Sequence, residues 1–189
     1  MLILLLGLVL FLGMHSVNIV APNQREAIIA QKGEGAWLWP YTAIAGVGFV
    51  LIIFGYGIAR QDPVMLYAPP TGMRHLALAV MIPVFPLLLA SYLPGHIKAR
   101  VKHPMLIATI LWAIAHLLAN GTLADVALFG GFLVWAIADL ISLVRRPEKN
   151  QRTLPRTPVN DIVAVIGGLA IYAAIVFWLH QILFGVSPI

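Results

Sequence analysis

Long apolar runs alternate along the chain with short polar or proline-rich breaks, and most approach the ~20 residues that carry a helix across a hydrocarbon core of ~30 Å. Their positions predict six spans, at residues 2–20, 41–59, 75–93, 104–120, 123–144 and 162–184. The expected fold is all-α, a polytopic bundle of about six transmembrane helices forming one transmembrane domain over residues 1–189. The weakest break separates the fourth and fifth runs. There Asn120-Gly121-Thr122 supplies turn chemistry, and Thr122 with Asp125 has the T-x-x-D spacing of a capping box, so a tight helical hairpin is expected.

Composition agrees with that pattern. The chain is 61% apolar and only 10% charged, against roughly 25% charged residues in soluble domains. Its mean hydropathy of +0.94 excludes a soluble globule. A net charge of +5 and a pI near 9.9 invite a nucleic-acid reading. The twelve Lys and Arg lie between the apolar runs, however, and form no stripe, so no nucleic-acid partner is expected and the lipid bilayer is.

Basic residues accumulate on the cytoplasmic side of a membrane, so their distribution orients the bundle. Arg25 and Lys32 follow the first span, Lys98, Arg100 and Lys102 the third, and Arg145, Arg146, Lys149, Arg152 and Arg156 the fifth. Only Arg60 and Arg74 fall on the other side. Ten against two places both termini outside and three basic loops in the cytoplasm, the inner-membrane arrangement with periplasmic termini if the source is a Gram-negative bacterium. Residues 145–161, proline-rich and basic, are expected to be a solvated cytoplasmic connector within the domain. Residues 1–20 read as a span and not a cleaved signal: no basic residue precedes the run, no small-x-small site closes it, and Met14-His15-Ser16 interrupts it.

Absent motifs narrow the chemistry. Without cysteine there is no disulfide, thiolate zinc, iron-sulfur cluster, Cys nucleophile or C-x-x-C-H haem attachment. The chain also lacks G-x-x-x-x-G-K-[ST], H-E-x-x-H and G-x-S-x-G. What remains is imidazole in a membrane, where ionisable side chains are costly and usually turn toward the bundle interior.

His15, near Ser16 and Asn18 in the first span, can ligate a metal, relay protons or bond a carbonyl. In the fourth span Ala108, Trp112, His116 and Asn120 recur every four residues beside Ala115 and Ala119. That stripe is expected to face the bundle, as a small-residue helix interface with one bonded histidine or as a cleft for a flat cofactor. His75 and His180 fall toward the outer face and read as interfacial. His96 and His103 belong to the basic loop 94–104, solvated or facing propionates or anionic headgroups. Asp139 is placed to pair with Arg145 or Arg146 or to reach the interface. Asn160 and Asp161 read as N-terminal chemistry of the sixth helix, and Gly130-Gly131 and Gly167-Gly168 as close-packing points.

Taken together, Gly13-Met14-His15-Ser16, Arg74-His75-Leu76-Ala77-Leu78, Tyr92-Leu93-Pro94-Gly95, His103-Pro104-Met105-Leu106 and above all residues 111–121, LWAIAHLLANG, resemble the NnrU family of bacterial membrane proteins over essentially the whole chain. The resemblance implies a setting near nitrite and nitric oxide metabolism, that is, denitrification. The NnrU family is in turn distantly similar to the zeta-carotene isomerase of plants and cyanobacteria, a membrane enzyme with non-covalent haem b between two histidines. Its H-S and W-x-x-A-H motifs are similar to His15-Ser16 and Trp112 to His116. The resemblance therefore implies haem b, with His15 and His116 as iron ligands and Trp112 and Asn120 beside them. The isomerase activity itself is not implied, since no carotenoid pocket is identified.

The two imidazoles lie past the midpoints of oppositely directed helices, so their depths differ by roughly 12 Å at ~1.5 Å per residue. His75 or His180 is accordingly an alternative partner for His116. The leading expectation is a membrane haem b protein with a redox role, in electron transfer or in redox-gated, isomerase-like chemistry on a small or lipophilic molecule. The competing class is a non-enzymatic assembly factor or a small-solute or metal transporter whose histidines are structural or relay protons. No catalytic residue, substrate or oligomeric state is legible.

Overall fold

The computed structural model describes residues 1–146 and 156–189. In chain order its helices are α1 (Leu2–Val20), α2 (Pro22–Lys32), α3 (Glu34–Ala59), α4 (Met73–Met81), α5 (Val84–Tyr92), α6 (His96–Val101), α7 (Pro104–Ala119), α8 (Leu123–Arg145) and α9 (Pro158–Ala174). A π-helical turn, Ile175–Leu179, carries α9 into α10 (His180–Phe184). Most of the basic connector expected over 145–161, with Lys149 and Arg152, lies outside the described residues.

All six apolar runs are helical, and five segments among the described residues are long and apolar enough to cross a membrane: α1, α3, Met73–Tyr92, α8 and Pro158–Phe184. The expected fourth span, α7, is shorter, with 16 residues, or ~24 Å. Pro104, which has no N–H to offer, opens it, and Asn120 at φ −134°, ψ 140° leaves the helix. The second span starts earlier than expected, at Glu34, and carries Pro40 inside it. The segment read as a simple loop before it contains α2. The third span is broken between α4 and α5 because Pro83 has no N–H to continue the ladder; Ile82 N–H turns back to the Ala79 carbonyl at 3.3 Å.

The described residues cluster into two compact units. Unit one comprises Met1–Ala68 and Gly121–Ser142, with α1, α2, α3 and most of α8. Its centre is the close approach of α1 to α3. A Cβ on Gly7, Gly48 or Gly55 would collide with the backbone of the facing helix, so glycine is what lets the helices approach and gain dispersion contacts. Leu4, Leu8, Ala45, Ile52 and Ala136 are buried here. The capping box expected at the fourth-to-fifth join is present, but the tight helical hairpin expected there is not, since α7 and most of α8 fall in different units. Thr122 N–H donates to Asp125 Oδ2 at 2.9 Å, and Asp125 N–H returns a bond to Thr122 Oγ1 at 3.2 Å, a reciprocal cap.

Unit two comprises Pro69–Asn120 and Leu143–Ile189. Here α7 packs against α4 and α5, and α5 against α9. Ala108, Ala113, Ala115, Ala90 and Ala164 are buried, and Gly168 lies against the backbone of Pro86 with no room for a Cβ. Small residues thus stand at the closest approaches in both interiors, beside buried large ones such as Leu4, Ile52, Leu106 and Phe129, while many other large side chains face outward, such as Leu2 at 83% and Ile182 at 74% exposure. That is the economy of a lipid-embedded protein, in which an outward Leu meets hydrocarbon and association rests on close packing. The expectation for the glycine pairs is corrected in part. Gly130 has nothing within 4 Å of its Cβ direction, and Gly131 meets only Leu12 and Leu8 side chains at 3.5 and 3.9 Å.

Candidate functional site

The helical period puts Phe11 one turn before His15, and the imidazole uses that neighbour twice. Its Nδ1–H donates to the Phe11 carbonyl at 2.7 Å, and its ring stacks on the phenyl with centroids 4.3 Å apart. Tyr41 of α3 and Trp135 of α8 complete an aromatic surround at 5.3 and 5.8 Å, the indole nearly perpendicular to the imidazole. A bond from Nδ1–H fixes the tautomer and makes Nε2 the nitrogen with a lone pair. Beside it Trp135 Nε1 is buried without a hydrogen-bond partner among the described residues, an unused donor next to an imidazole.

His116 repeats the device in unit two. Its Nδ1–H donates to the Trp112 carbonyl at 2.8 Å, and the Trp112 ring lies 5.2 Å from the imidazole. Asn120 Nδ2–H donates to the His116 carbonyl at 2.9 Å, closing the last turn of α7 over the histidine. Trp112, His116 and Asn120 are therefore one contiguous, half-buried group, and on the same helix Ala108 and Ala115 are fully buried. The two principal histidines fall in different units, His15 in the first and His116 in the second.

The remaining histidines have other settings. His75 is exposed near the start of α4. His180, after the π-helical turn, donates from Nδ1 to the Val186 carbonyl at 2.6 Å. His103 is the residue before Pro104, at the start of α7. His96 is no free loop residue: its Nδ1 pairs with Asp161 Oδ2 at 2.8 Å. Asp161 also accepts the backbone N–H of His96 and of Ile97, each at 2.9 Å. This corrects the reading of Asp161 and Asn160 as caps of their own helix. Asp161 serves the N-terminus of α6, and Asn160 Nδ2–H donates to the Pro94 carbonyl at 2.8 Å, while α9 has no side-chain cap.

One polar group escaped the sequence reading. Asp125, expected only as a cap, is 4% exposed, and it accepts the Tyr56 hydroxyl at 2.5 Å as well as Thr122 Oγ1 at 2.6 Å. A tyrosine and an acid 69 residues apart give no local signal.

Among the described residues no group of three or more His, Asp or Glu side chains could hold a metal ion. An iron porphyrin has a lower requirement, two axial nitrogens and a flat apolar surround. An imidazole is of the right donor chemistry for such a ligand, and His15 and His116, each taken by itself, offer one. Each imidazole is oriented through Nδ1 by its own helix, as outer-shell carbonyls orient ligating histidines, and each stands among aromatic or small side chains.

No curated protein and no solved structure matches the chain. A family model described as NnrU protein matches residues 3–188, nearly the whole length, and the chain belongs to the NnrU family.

Proposed function

We propose that this NnrU-family membrane protein binds haem b non-covalently through helix-borne imidazoles and has a redox role, set near nitrite and nitric oxide metabolism or in redox-gated, isomerase-like chemistry on a small or lipophilic molecule. One observation supports the reading: His15 and His116 each direct Nδ1–H to the carbonyl one turn back, at 2.7 and 2.8 Å, the way ligating histidines are oriented by an outer carbonyl. His15 and His116 are the residues that would hold the haem iron, with His75 and His180 as alternative partners. Trp112 and Asn120 hold His116 in place, the first with its ring and carbonyl and the second by closing the helix end. Bound haem supplies a one-electron couple, and the protein's part is to orient the imidazoles and keep water from them. The proposed location is the bacterial inner membrane, with both termini external.

Protein purified from haem-replete cells is expected to show a Soret band and b-type reduced bands, and acid acetone should extract the pigment. At equal membrane expression His116→Ala should lose most haem and His15→Ala should lose haem or change its spin state. His96→Ala and His103→Ala should retain it. A colourless parent protein would refute haem binding. Full occupancy with an unchanged spectrum in His116→Ala would refute the assignment of His116, and the two-imidazole reading would have to be rebuilt around His75 and His180 or abandoned.

A second reading, a non-enzymatic assembly factor or a small-solute or metal transporter, draws on the same side chains. His15 packs face to face on Phe11 at 4.3 Å with Tyr41 and Trp135 around it, a setting that suits a purely structural imidazole. The colour of the parent protein separates the two.

A further inference from the structure

Unit two is electrically lopsided. Among its described residues Asp161 is the only acidic side chain, against Arg74, Lys98, Arg100, Lys102, Arg145, Arg146 and Arg156. That single acid is already engaged, by the imidazole and N–H of His96 and the N–H of Ile97. The same bonds fasten the basic helix α6 to the start of α9. Two more reinforce the joint, as Thr157 N–H and Asn160 Nδ2–H both donate to the Pro94 carbonyl, at 3.4 and 2.8 Å. Gly95 lies against the Asp161 carboxyl so closely that a Cβ there would overlap it.

At its other end α6 turns into α7 through a costly conformation. Lys102 has φ 63°, ψ −52°, and is the only described residue other than glycine with positive φ. The His103 N–H closes on the Val101 carbonyl at 2.7 Å, which makes Val101-Lys102-His103 a γ-turn of the rare, strained kind. Lys98 is drawn back, its Nζ donating to the Ser91 carbonyl at 2.6 Å at the end of α5. Arg100, Lys102 and Arg156 are left exposed. The guanidinium groups of Arg100 and Arg156 have neither a hydrogen bond nor an ion pair among the described residues.

This basic surface sits where two apolar segments end, Met73–Tyr92 before it and Pro158–Phe184 beside it. A phosphate headgroup at that level meets guanidinium groups that present several N–H donors in a fork, with no acidic side chain among the unit's described residues free to compete. We propose that Arg100, Lys102 and Arg156 form a docking surface for anionic phospholipid headgroups of the surrounding bilayer, held in place by the Asp161–His96 joint. It is independent of haem.

The test uses the full-length protein in mild detergent, offered phosphatidylglycerol or phosphatidylcholine in mixed micelles, with retained lipid counted by native mass spectrometry. Phosphatidylglycerol should be retained in preference, and each of R100Q, K102Q and R156Q should weaken its retention by about fivefold. R100K, which keeps the charge, should lose less than R100Q. The single variants alter exposed side chains, so they decide the matter even if a triple variant fails to fold. Asp161→Ala, which frees α6, should weaken retention although it removes a negative charge. Equal retention of the two lipids, or no loss in the three neutral variants, would overturn the proposal. So would displacement of the lipid by millimolar inorganic phosphate at constant ionic strength, which would mark a site for free anions and not for headgroups.

Discussion

Asp125 shows how much one residue can hold together inside a membrane. Its carboxylate takes the Tyr56 hydroxyl, the Thr122 hydroxyl and the Thr122 N–H, so a costly buried acid is satisfied on both oxygens. Asp125→Ala removes the acceptor and leaves buried donors without partners, and it is expected to cost about 1–3 kcal/mol. Tyr56→Phe removes one donor from an acid that keeps its two others and should cost less. Thermal unfolding in detergent, followed by circular dichroism, measures both; a larger loss in Tyr56→Phe than in Asp125→Ala would contradict this account of the network. Trp135 poses the opposite problem, a buried N–H beside His15 with no acceptor among the described residues.

Helices α1 and α3 approach closely because glycine stands wherever a side chain would collide. Gly48→Val would force its side chain into the backbone at Phe11 and Gly7, and is expected to destabilise the protein by about 1–3 kcal/mol or more. Gly57 lies in the same helix with nothing within 4 Å of its Cβ direction, so Gly57→Ala should be neutral or gain up to about 1 kcal/mol of helix propensity. Denaturation midpoints of the two variants check the contrast. If both behaved alike, the glycines would be acting through propensity and not through packing. At α6 the logic is electrostatic, since a short helix is held at its N-terminus by a carboxylate that belongs to another element.

For the whole molecule the open count is the number of crossings, and α7 decides it. Five segments have the length to cross and α7 has 16 residues. A shorter helix crosses by thinning the bilayer locally or by flanking side chains reaching to the interface. With α7 crossing, reporter fusions after residues 30, 100 and 150 should read cytoplasmic, and fusions after residue 67 and at the C-terminus should read external. Parity makes the last fusion decisive, because a cytoplasmic C-terminus would mean five crossings. The charge asymmetry of ten basic residues against two supports the even count.

The apolar runs by themselves determined that this is a membrane protein of six apolar helices, because lipid leaves a spanning backbone no partner outside its own helix and the required length is written in hydropathy. The Thr122–Asp125 cap was legible for a similar reason: its partners are three residues apart. The stripe of the fourth span, α7, was legible too, since Ala108, Trp112, His116 and Asn120 share a helical period, and the bond from Asn120 to the His116 carbonyl is local. Only the tertiary structure decided which residues make the interior, because in lipid the buried and the outward positions are alike apolar and hydropathy does not tell them apart. Gly7, Gly48 and Gly55 carry the packing while Gly130 does not. Long-range polar partners were equally hidden. Nothing in the local sequence ties Asp161 to an amide 65 residues away or Tyr56 to Asp125, since such bonds depend on which helix ends the packing brings together.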